Sequence, residues 1–180
     1  MRKKHIQEFV NNYLNKNINK TDITIDATIG NGNDTLFLAN ISKFVYGFDI
    51  QKEAHINTDN LLRENNIKNY KLIFDSHENI LNYEKEFKCV VFNLGYLPRS
   101  DKSITTTKDS TIRTLNRLTN SLKKGQFIII TCYPAHEEGK VESKALLDFA
   151  SNLDKSFSVL QYGFINSKGK PPFVILIEKG

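Results

Sequence analysis

The sequence predicts an α/β fold in which a mainly parallel sheet of seven strands carries helices on both faces. Within the 180 residues, short β-branched runs alternate with stretches of helical periodicity through five strand–helix steps. A turn with two glycines follows the first run, as in a Rossmann-like fold. The last two runs, Phe157–Phe164 and Phe173–Glu178, are separated by a short link and therefore predict an antiparallel hairpin at one sheet edge.

Length and composition predict one domain, residues 1–180. Within residues 1–20, the helical spacing of Ile6, Phe9, Val10, Tyr13 and Leu14 predicts an amphipathic helix packed on the sheet. The chain has no apolar run of about 18 residues, which excludes a membrane span. No apolar signal core follows the basic N-terminus, so we expect a cytoplasmic protein. Cys89 and Cys132 lie in apolar runs and are predicted to be buried free thiols, with no metal site. The net charge of +5 favours a polyanionic partner without identifying one.

The strand Ile23–Asp26 leads into the turn G-N-G-N-D-T, where glycines allow positive φ and close approach of a ligand to the backbone. Thr35 stands where a dinucleotide-binding turn has its third glycine, and the Lys-Ser/Thr of a phosphate loop is absent. The preceding carboxylate of Asp26 suits a cationic, non-phosphorylated ligand such as S-adenosylmethionine. The residues expected around it are Asp26, Thr28, Gly30, Asn31, Gly32, Asn33, Asp34 and Thr35. Asp34 or Thr35 is also expected to cap the next helix, and the alternative is a tight turn without ligand.

Asp49 ends the second strand, Phe44–Phe48, about 20 residues beyond the glycine turn, where this fold class places an acceptor for ribose hydroxyls. Gln51, at the start of the next predicted helix, is also expected to bind S-adenosylmethionine. The alternative for Asp49 is a helix-capping acid at the strand end.

A polar cluster follows the third strand, Tyr70–Phe74, and is placed to meet an adenine edge. Asp75 would accept from an exocyclic amine, while Ser76 or His77 would supply side-chain or backbone donors. The alternative is a plain helix N-cap, a role that Asp and Ser fill routinely.

The fourth strand, Phe87–Leu94, is almost wholly apolar, as a central parallel strand should be. Asn93, at its carboxyl end, can accept a hydrogen bond from an amine, and the backbone carbonyl of Leu94 can do the same. The turn that follows consists of Gly95, Tyr96, Leu97 and Pro98. Tyr96 offers a flat face for a base. A plain turn would explain the glycine and the proline but not the amide.

The stretch Arg99–Lys108 is polar and rich in hydroxyl groups, and it predicts a lid or an RNA-contacting flap. Its candidate substrate-binding residues are Arg99, Lys102 and Thr106. Asp109 or Ser110 is expected to cap the following helix. The outer face of that helix is basic, which is typical of a solvated surface and is also suited to phosphate contacts.

The fifth strand, Gln126–Cys132, leads into a loop that carries Tyr133 and His136 at the same carboxyl edge of the sheet. A loop histidine is a candidate for moving a proton near neutral pH. The alternative for His136 is an ordinary surface histidine.

Four segments in this order resemble the bacterial tRNA 5-(aminomethyl)uridine methyltransferases, a group long labelled as rRNA methylases. They are D-A-T-I-G-N-G-N-D-T (Asp26–Thr35), F-N-L-G-Y-L-P (Phe92–Pro98), Y-P-A-H-E-E-G (Tyr133–Gly139) and P-P-F-V-I-L-I-E-K (Pro171–Lys179). The resemblance covers nearly the whole chain. Arg99-Ser100 and Ala135 stand where the family's pattern has glycines.

The resemblance implies a class I methyltransferase fold, S-adenosylmethionine as donor, and a homodimer. It also implies methylation of the 5-aminomethyl nitrogen on the wobble uridine of tRNA, often a 2-thiouridine. In that reaction Asn93 and the Leu94 carbonyl would hold the amine hydrogens, and Tyr133 or His136 would line the acceptor pocket and help with the proton. A flipped-out base of the anticodon stem-loop would stack near Tyr96.

Three other functions remain open at this point. Such a site would also suit methylation of an exocyclic base amine in rRNA or DNA, or of a small-molecule amine. Outside enzymes, the chain would serve as an S-adenosylmethionine-binding module that associates with RNA.

Overall fold

The structure is a computed structural model that describes residues 2–95, 108–167 and 169–180. The first half of the described chain contains α1 (Arg2–Asn17), β1 (Ile23–Asp26), α2 (Asn33–Ile41), β2 (Phe44–Asp49), α3 (Lys52–Glu64) and β3 (Tyr70–Phe74). A 3₁₀ turn (His77–Asn79) follows, then α4 (Ile80–Tyr83), β4 (Cys89–Asn93), α5 (Lys108–Ser121), β5 (Phe127–Cys132), α6 (Glu137–Ser151), β6 (Phe157–Tyr162) and β7 (Phe173–Lys179). The predictions for Tyr96, Pro98, Arg99, Lys102 and Thr106 lie outside the described residues.

The sheet has seven strands in the order β3-β2-β1-β4-β5-β7-β6. All neighbouring pairs are parallel except those made by β7, which is antiparallel to both β5 and β6. The predicted fold class and the hairpin at one edge are therefore confirmed. From β1 the chain builds outward to β3 and then crosses back to place β4 beside β1. In such a sheet a crevice lies beyond the carboxyl ends of these two strands.

The sheet is covered on both faces, which explains why β4 and β5 lack polar alternation. On one face, Val90 and Phe92 pack with residues of α4, α5 and α6. On the other, Cys89 and Val91 pack with residues of α1 and α2. Both cysteines are buried and free, as predicted. Within the described ranges, no helix is long and apolar enough to cross a membrane.

Two predicted helix caps are wrong. Helix α2 is capped by Gly32, whose φ of 81° lets the helix begin at Asn33. Asp34 and Thr35 consequently lie in its first turn, and their side chains bond elsewhere. Helix α5 already includes Lys108 at the start of its described residues, so Asp109 and Ser110, the other predicted caps, also lie inside a first turn.

Candidate active site

Most of the predicted site residues that the structure describes lie at the carboxyl edge of the sheet, where β1 and β4 lie side by side. The pairing of Asp26 with Val91 places the end of β1 next to the end of β4. Asp34, directly after the glycine turn, and Asn93, at the end of β4, therefore meet at this crevice.

Asp26 is completely buried beneath the glycine turn. Its carboxylate accepts a 3.1 Å bond from the backbone N–H of Thr28 and a 2.6 Å bond from the hydroxyl of Thr35. Burial, reinforced by the nearby Asp34 carboxylate, raises the pKa of Asp26 to about 7 in spite of these two donors. Such a carboxylate is stabilised in its charged form by a bound cation.

Asp49 connects the glycine turn with the start of α3. One carboxylate oxygen accepts from the backbone N–H of Gly30 at 3.2 Å, and the other accepts from that of Gln51 at 2.9 Å. Each oxygen keeps a further lone pair, so acceptance from a ribose is compatible with these bonds. Gly30 and Gly32 both have positive φ, 50° and 81°, which confirms the predicted use of the glycines.

Gly32 also meets a spatial limit that no spacing in the sequence reveals. A Cβ on Gly32 would lie 2.9 Å from the hydroxyl oxygen of Thr58, which is buried on α3. The turn therefore packs directly against the next helix. Asn31 and Asn33 are exposed on its outer side.

The side-chain amide of Asn93 is held in one orientation. Its Nδ2 donates to the Asp34 carboxylate at 2.7 Å, and its backbone N–H donates to the hydroxyl of Thr28 at 2.8 Å. The first bond fixes which end of the amide is nitrogen, because an ionised carboxylate only accepts hydrogen bonds. The amide oxygen is thereby left on the side away from Asp34.

Leu94 continues the chain from Asn93 and is half-buried. Its backbone N–H donates to the carbonyl of Thr131 at 3.1 Å, which extends the pairing of β4 with β5 by one residue. This bond fixes the backbone directly beside the Asn93 amide.

Tyr133 closes the other side of Asn93, and a hydrogen bond joins the two side chains. Its ring lies beside Gly95, where a Cβ would come within 3.4 Å of Cε2. Burial and the Asp34 carboxylate raise the pKa of Tyr133 to about 12, against the lowering effect of the Asn93 bond. Tyr133 is therefore a neutral phenol near pH 7, a hydrogen-bonding group and a poor base.

In the polar cluster after β3, Asp75 accepts hydrogen bonds within the loop and Ser76 caps the 3₁₀ turn. Asp75 accepts bonds from the backbone N–H of Ser76 (2.7 Å), the amide of Asn79 (2.9 Å) and the hydroxyl of Tyr83 (2.9 Å). Partial burial acts to raise the pKa of Asp75, but these donors outweigh it and hold the pKa below its ordinary value. Ser76 caps the 3₁₀ turn by accepting from the N–H of Glu78, so the predicted alternative of a helix cap is confirmed for this residue.

His77 turns into the core instead of toward the crevice. Its ring is buried, bonds to the hydroxyl of Thr114 at 2.8 Å and packs edge-on against Phe92. Burial lowers the pKa of His77 to about 4, so the ring is neutral. The prediction that this side chain meets an adenine edge is therefore wrong, because the apolar surroundings of β4 hold it, and only the backbone of His77 remains a candidate.

His136 is exposed at the N-cap of α6, on the same loop as Tyr133. This loop is tightly packed against the helix that follows it. A Cβ on Gly139 would lie only 2.2 Å from the carbonyl oxygen of Tyr133. The close approach of the helix thus fixes the backbone that carries Tyr133.

The predicted basic face of α5 is largely engaged in contacts within the chain. Arg113 forms a two-pronged pair with the carboxylate of Glu78, and Arg117 donates to the backbone carbonyl of the same residue. These contacts fasten α5 to the loop after β3. Lys123, two residues beyond the end of α5, forms an ion pair with Glu86, which precedes β4.

Sequence reasoning missed two polar residues, one beside Asp34 and one between α5 and α6. Gln7, on α1, donates to the second oxygen of Asp34 at 3.2 Å. Glu142, on α6, is partly buried and accepts from the hydroxyl of Thr111 at 3.1 Å, and burial raises its pKa to about 7. Neither stands in a recognisable motif, because each is a polar residue on an otherwise ordinary amphipathic helix.

Known proteins share both the sequence and the architecture of this chain. A family model described as "Putative rRNA methylase" matches residues 45–178. The chain is 32% identical over 178 residues to an Arabidopsis thaliana protein named "tRNA (mnm(5)s(2)U34)-methyltransferase, chloroplastic". That match covers 90% of this chain and 65% of the relative, so the chain spans about two thirds of the relative's length.

Solved structures superpose over nearly the whole chain. A protein of Streptococcus mutans, described as "a putative methyltransferase" and solved in complex with SAH, is 38% identical with a TM-score of 0.89. The match covers 97% of this chain and 98% of that one. A "putative rRNA-methylase" of Clostridium thermocellum is 36% identical with a TM-score of 0.91, and 97% of each chain is covered. With this fold and a family model matched across most of its length, the chain belongs to the family described as "Putative rRNA methylase".

Proposed function

We propose that this protein is an S-adenosylmethionine-dependent tRNA methyltransferase. Its substrate is the 5-aminomethyl group of the wobble uridine or 2-thiouridine, and its product is the 5-methylaminomethyl derivative. The observation that carries the proposal is the fixed amide of Asn93, which leaves a hydrogen-bond acceptor in a crevice beside an acid-rich glycine turn. The name of the Arabidopsis relative supports the choice of substrate.

The residues of the glycine turn fit S-adenosylmethionine as the cofactor. Asp26 is buried with a raised pKa, and the Asp34 and Asp49 carboxylates both add to that effect, so the turn favours a cation. Asp49 would accept from the ribose with its remaining lone pairs. The positive-φ glycines let the ligand lie against the backbone. The SAH bound to the Streptococcus mutans protein supports this assignment.

When bound, S-adenosylmethionine supplies an electrophilic methyl group on its sulfonium, so the protein mainly has to position and desolvate the acceptor amine. Asn93 does this with its amide oxygen, which accepts one N–H of a neutral primary amine. The carbonyl of Leu94 is assigned the second N–H. With both hydrogens held, the nitrogen lone pair points away from these acceptors.

The proton that the product amine sheds is assigned to His136 rather than Tyr133. Tyr133 keeps its phenolic proton because its pKa is raised to about 12, so it serves to hold Asn93 and to line the acceptor pocket. His136 lies on the same loop and is exposed, which gives the proton a route to solvent.

The protein is assigned to the cytoplasm as a homodimer that acts on the anticodon stem-loop. Strand β6 is an edge strand and exposes Val159 and Leu160, at 41% and 49%, which supports it as the contact between subunits. The description of the family model favours rRNA as a second candidate substrate, since the same amide would serve an exocyclic base amine.

The decisive experiment compares tRNA nucleosides by mass spectrometry in cells with and without the protein. We expect 5-aminomethyluridine, free or 2-thiolated, to accumulate in its absence, and wild-type protein to restore the methylated form. Asn93→Ala should fail to restore it while still binding S-adenosylhomocysteine, because the lost group positions the acceptor. Asn116→Ala, which removes an exposed amide on α5, is the matched control and should restore it fully.

An unchanged tRNA profile would refute the proposal. If rRNA or DNA nucleosides lost a methyl group instead, the second candidate would replace it.

A further inference from the structure

A second cleft opens at the carboxyl edge of the sheet. Its lining residues are not among those assigned to S-adenosylmethionine or to the acceptor amine. Its volume is about 360 Å³, and it lies between the turn after β5 and the β6–β7 connection. The lining residues include Pro134, Phe164, Ile165, Lys170, Pro171 and Phe173. Pro134 directly follows Tyr133 in the chain, so the cleft begins one residue away from the side chain proposed to line the acceptor pocket.

Ring stacking and close backbone contacts shape the cleft. The stacked rings of Phe9 and Tyr162, 4.0 Å apart and 6° from parallel, hold the end of β6 against α1. His5 packs edge-on against Phe164 one step further along. A Cβ on Gly163 would lie 2.9 Å from that of Phe173, so the two sides of the hairpin are in close contact there.

The charge of this hairpin suits a polyanion. Between β6 and β7, residues 163–172 include two lysines, Lys168 and Lys170, and no acidic residue. Lys170 is exposed at the cleft, and Ile165 beside it is fully exposed. A cation next to an apolar surface is the combination that binds a single-stranded nucleotide, with its phosphate on the cation and its base on the apolar side. An apolar protein partner would not need the cation.

We propose that this cleft binds the nucleotide that neighbours the methylated one in a single-stranded RNA loop. Lys170 contacts the phosphate, and the apolar wall of Pro134, Phe164 and Ile165 receives the base. The inference rests on the proposed function, because Tyr133, the neighbour of Pro134 in the chain, is assigned there to the acceptor pocket. Lys170 and Ile165 do not lie on β6, the strand proposed for the subunit contact.

The test is charge reversal with a matched control. Lys170→Glu is compared with Lys155→Glu, which makes the same change at an exposed residue. Lys155 lies just before β6, at the end of that strand away from the cleft. Binding to an anticodon stem-loop RNA is measured by fluorescence anisotropy over a range of salt concentrations. S-adenosylhomocysteine binding is measured by calorimetry, and subunit mass by light scattering.

For Lys170→Glu we expect Kd for the RNA to rise roughly tenfold and the slope of log Kd against log salt to fall by about one. Affinity for S-adenosylhomocysteine and subunit mass should be unchanged, and Lys155→Glu should bind RNA within about twofold of wild type. Ile165→Ala should also weaken RNA binding, without changing the salt slope, because it removes contact surface and no charge.

Equal weakening by both lysine variants, or none by Lys170→Glu, would overturn the inference while wild-type methylation stands. A change of subunit mass in Lys170→Glu or Ile165→Ala would also overturn it, since the cleft would then be a contact between copies. A wild-type protein that neither binds nor methylates tRNA would refute the proposed function and this inference together.

Discussion

Asp34 bonds to residues from two distant parts of the chain. One carboxylate oxygen accepts from Asn93, at the end of β4, and the other accepts from Gln7, on α1. The sequence predicts Asp34 as a donor-binding residue and a helix cap, and the structure adds a different role. Because a carboxylate only accepts hydrogen bonds, it orients the amide of Asn93 with its nitrogen toward Asp34, which leaves the oxygen for the acceptor amine in the proposed reaction.

Asp34→Asn tests this positioning role. The new amide can donate as well as accept, so Asn93 is free to flip, and kcat should fall roughly tenfold to hundredfold through misplacement of the acceptor amine. Steady-state kinetics with tRNA give kcat, and calorimetry gives the affinity for S-adenosylhomocysteine, which should change much less. Asp148→Asn makes the same substitution at an exposed site on α6 and should leave both quantities unchanged. A normal kcat with weakened cofactor binding would instead make Asp34 a ligand of the donor alone.

His77 shows why a residue's type and position do not determine its direction. As part of a polar cluster after a strand it is predicted to face a ligand, whereas the structure buries it against Phe92. The deciding contact is with Thr114, 37 residues further along the chain. Nothing in the local sequence reports that contact.

At the scale of secondary-structure elements, α6 supports the site from behind. Its third residue, Gly139, lies against the carbonyl of Tyr133, so the helix packs directly on the loop that carries the phenol. Any side chain at this position pushes the two apart. A glycine that weakens a helix by about 1 kcal/mol is thus retained for the approach it permits.

Gly139→Ala should therefore destabilise the protein in spite of the better helix former. A Cβ 2.2 Å from the Tyr133 carbonyl forces a backbone shift, and overpacking of this kind costs about 1–3 kcal/mol. Urea denaturation gives the free energy of unfolding, and kcat should fall with it as Tyr133 moves. Lys140→Ala, at the exposed neighbouring residue, should stay within about 0.5 kcal/mol of wild type. A stabilised Gly139→Ala variant would show that the loop yields without strain.

Helix α1 contributes to the site as well as to the core. Its apolar residues Ile6, Val10 and Leu14 are buried against the sheet, as the spacing predicts. Its polar Gln7 reaches Asp34 from the edge of that face. Through Gln7, the helix therefore contacts the carboxyl edge of the sheet as well as the core.

For the whole molecule, buried carboxyl groups link stability to pH. The pKa values of Asp26 and Glu142 are both raised to about 7 in the folded protein, above their ordinary values. The folded state then holds more protons than the unfolded one, so these groups lower the free energy of unfolding as pH rises from about 4 to 7. His77, with its pKa lowered to about 4, acts in the opposite direction between about pH 4 and 6.5.

Glu142→Gln isolates the contribution of Glu142 to this pH dependence from those of Asp26 and His77. It removes the carboxyl group and keeps an acceptor for the Thr111 hydroxyl. Relative to wild type, the variant should gain little at pH 5 and on the order of 1–3 kcal/mol at pH 8, where the wild-type carboxylate is ionised in a partly buried position. Urea denaturation at the two pH values gives the difference. Glu64→Gln, at the exposed end of α3, controls for loss of a negative charge. A gain that does not grow with pH would show that Glu142 is ionised without penalty.

The strand order explains why the glycine turn after β1 lies close to Asn93 at the end of β4. The chain leaves β1, builds β2 and β3 on one side, and returns to pair β4 on the other side of β1. The ends of β1 and β4 therefore bound the crevice, and Asp34 reaches Asn93 across 59 positions of sequence. Two neighbouring strands that follow each other in the chain, such as β1 and β2, do not leave such an opening, because the chain does not reverse its direction of growth across the sheet between them.

The sequence by itself determined the strands, most of the helices, the glycine turn with its positive φ and the closing hairpin, because periodicity and glycine conformation act over a few residues. It also determined the family. Only the tertiary structure decided that Asp34 orients Asn93, that His77 lies in the core and that Gly139 supports Tyr133. Those contacts join residues brought together by strand order and helix packing, and no local pattern encodes them.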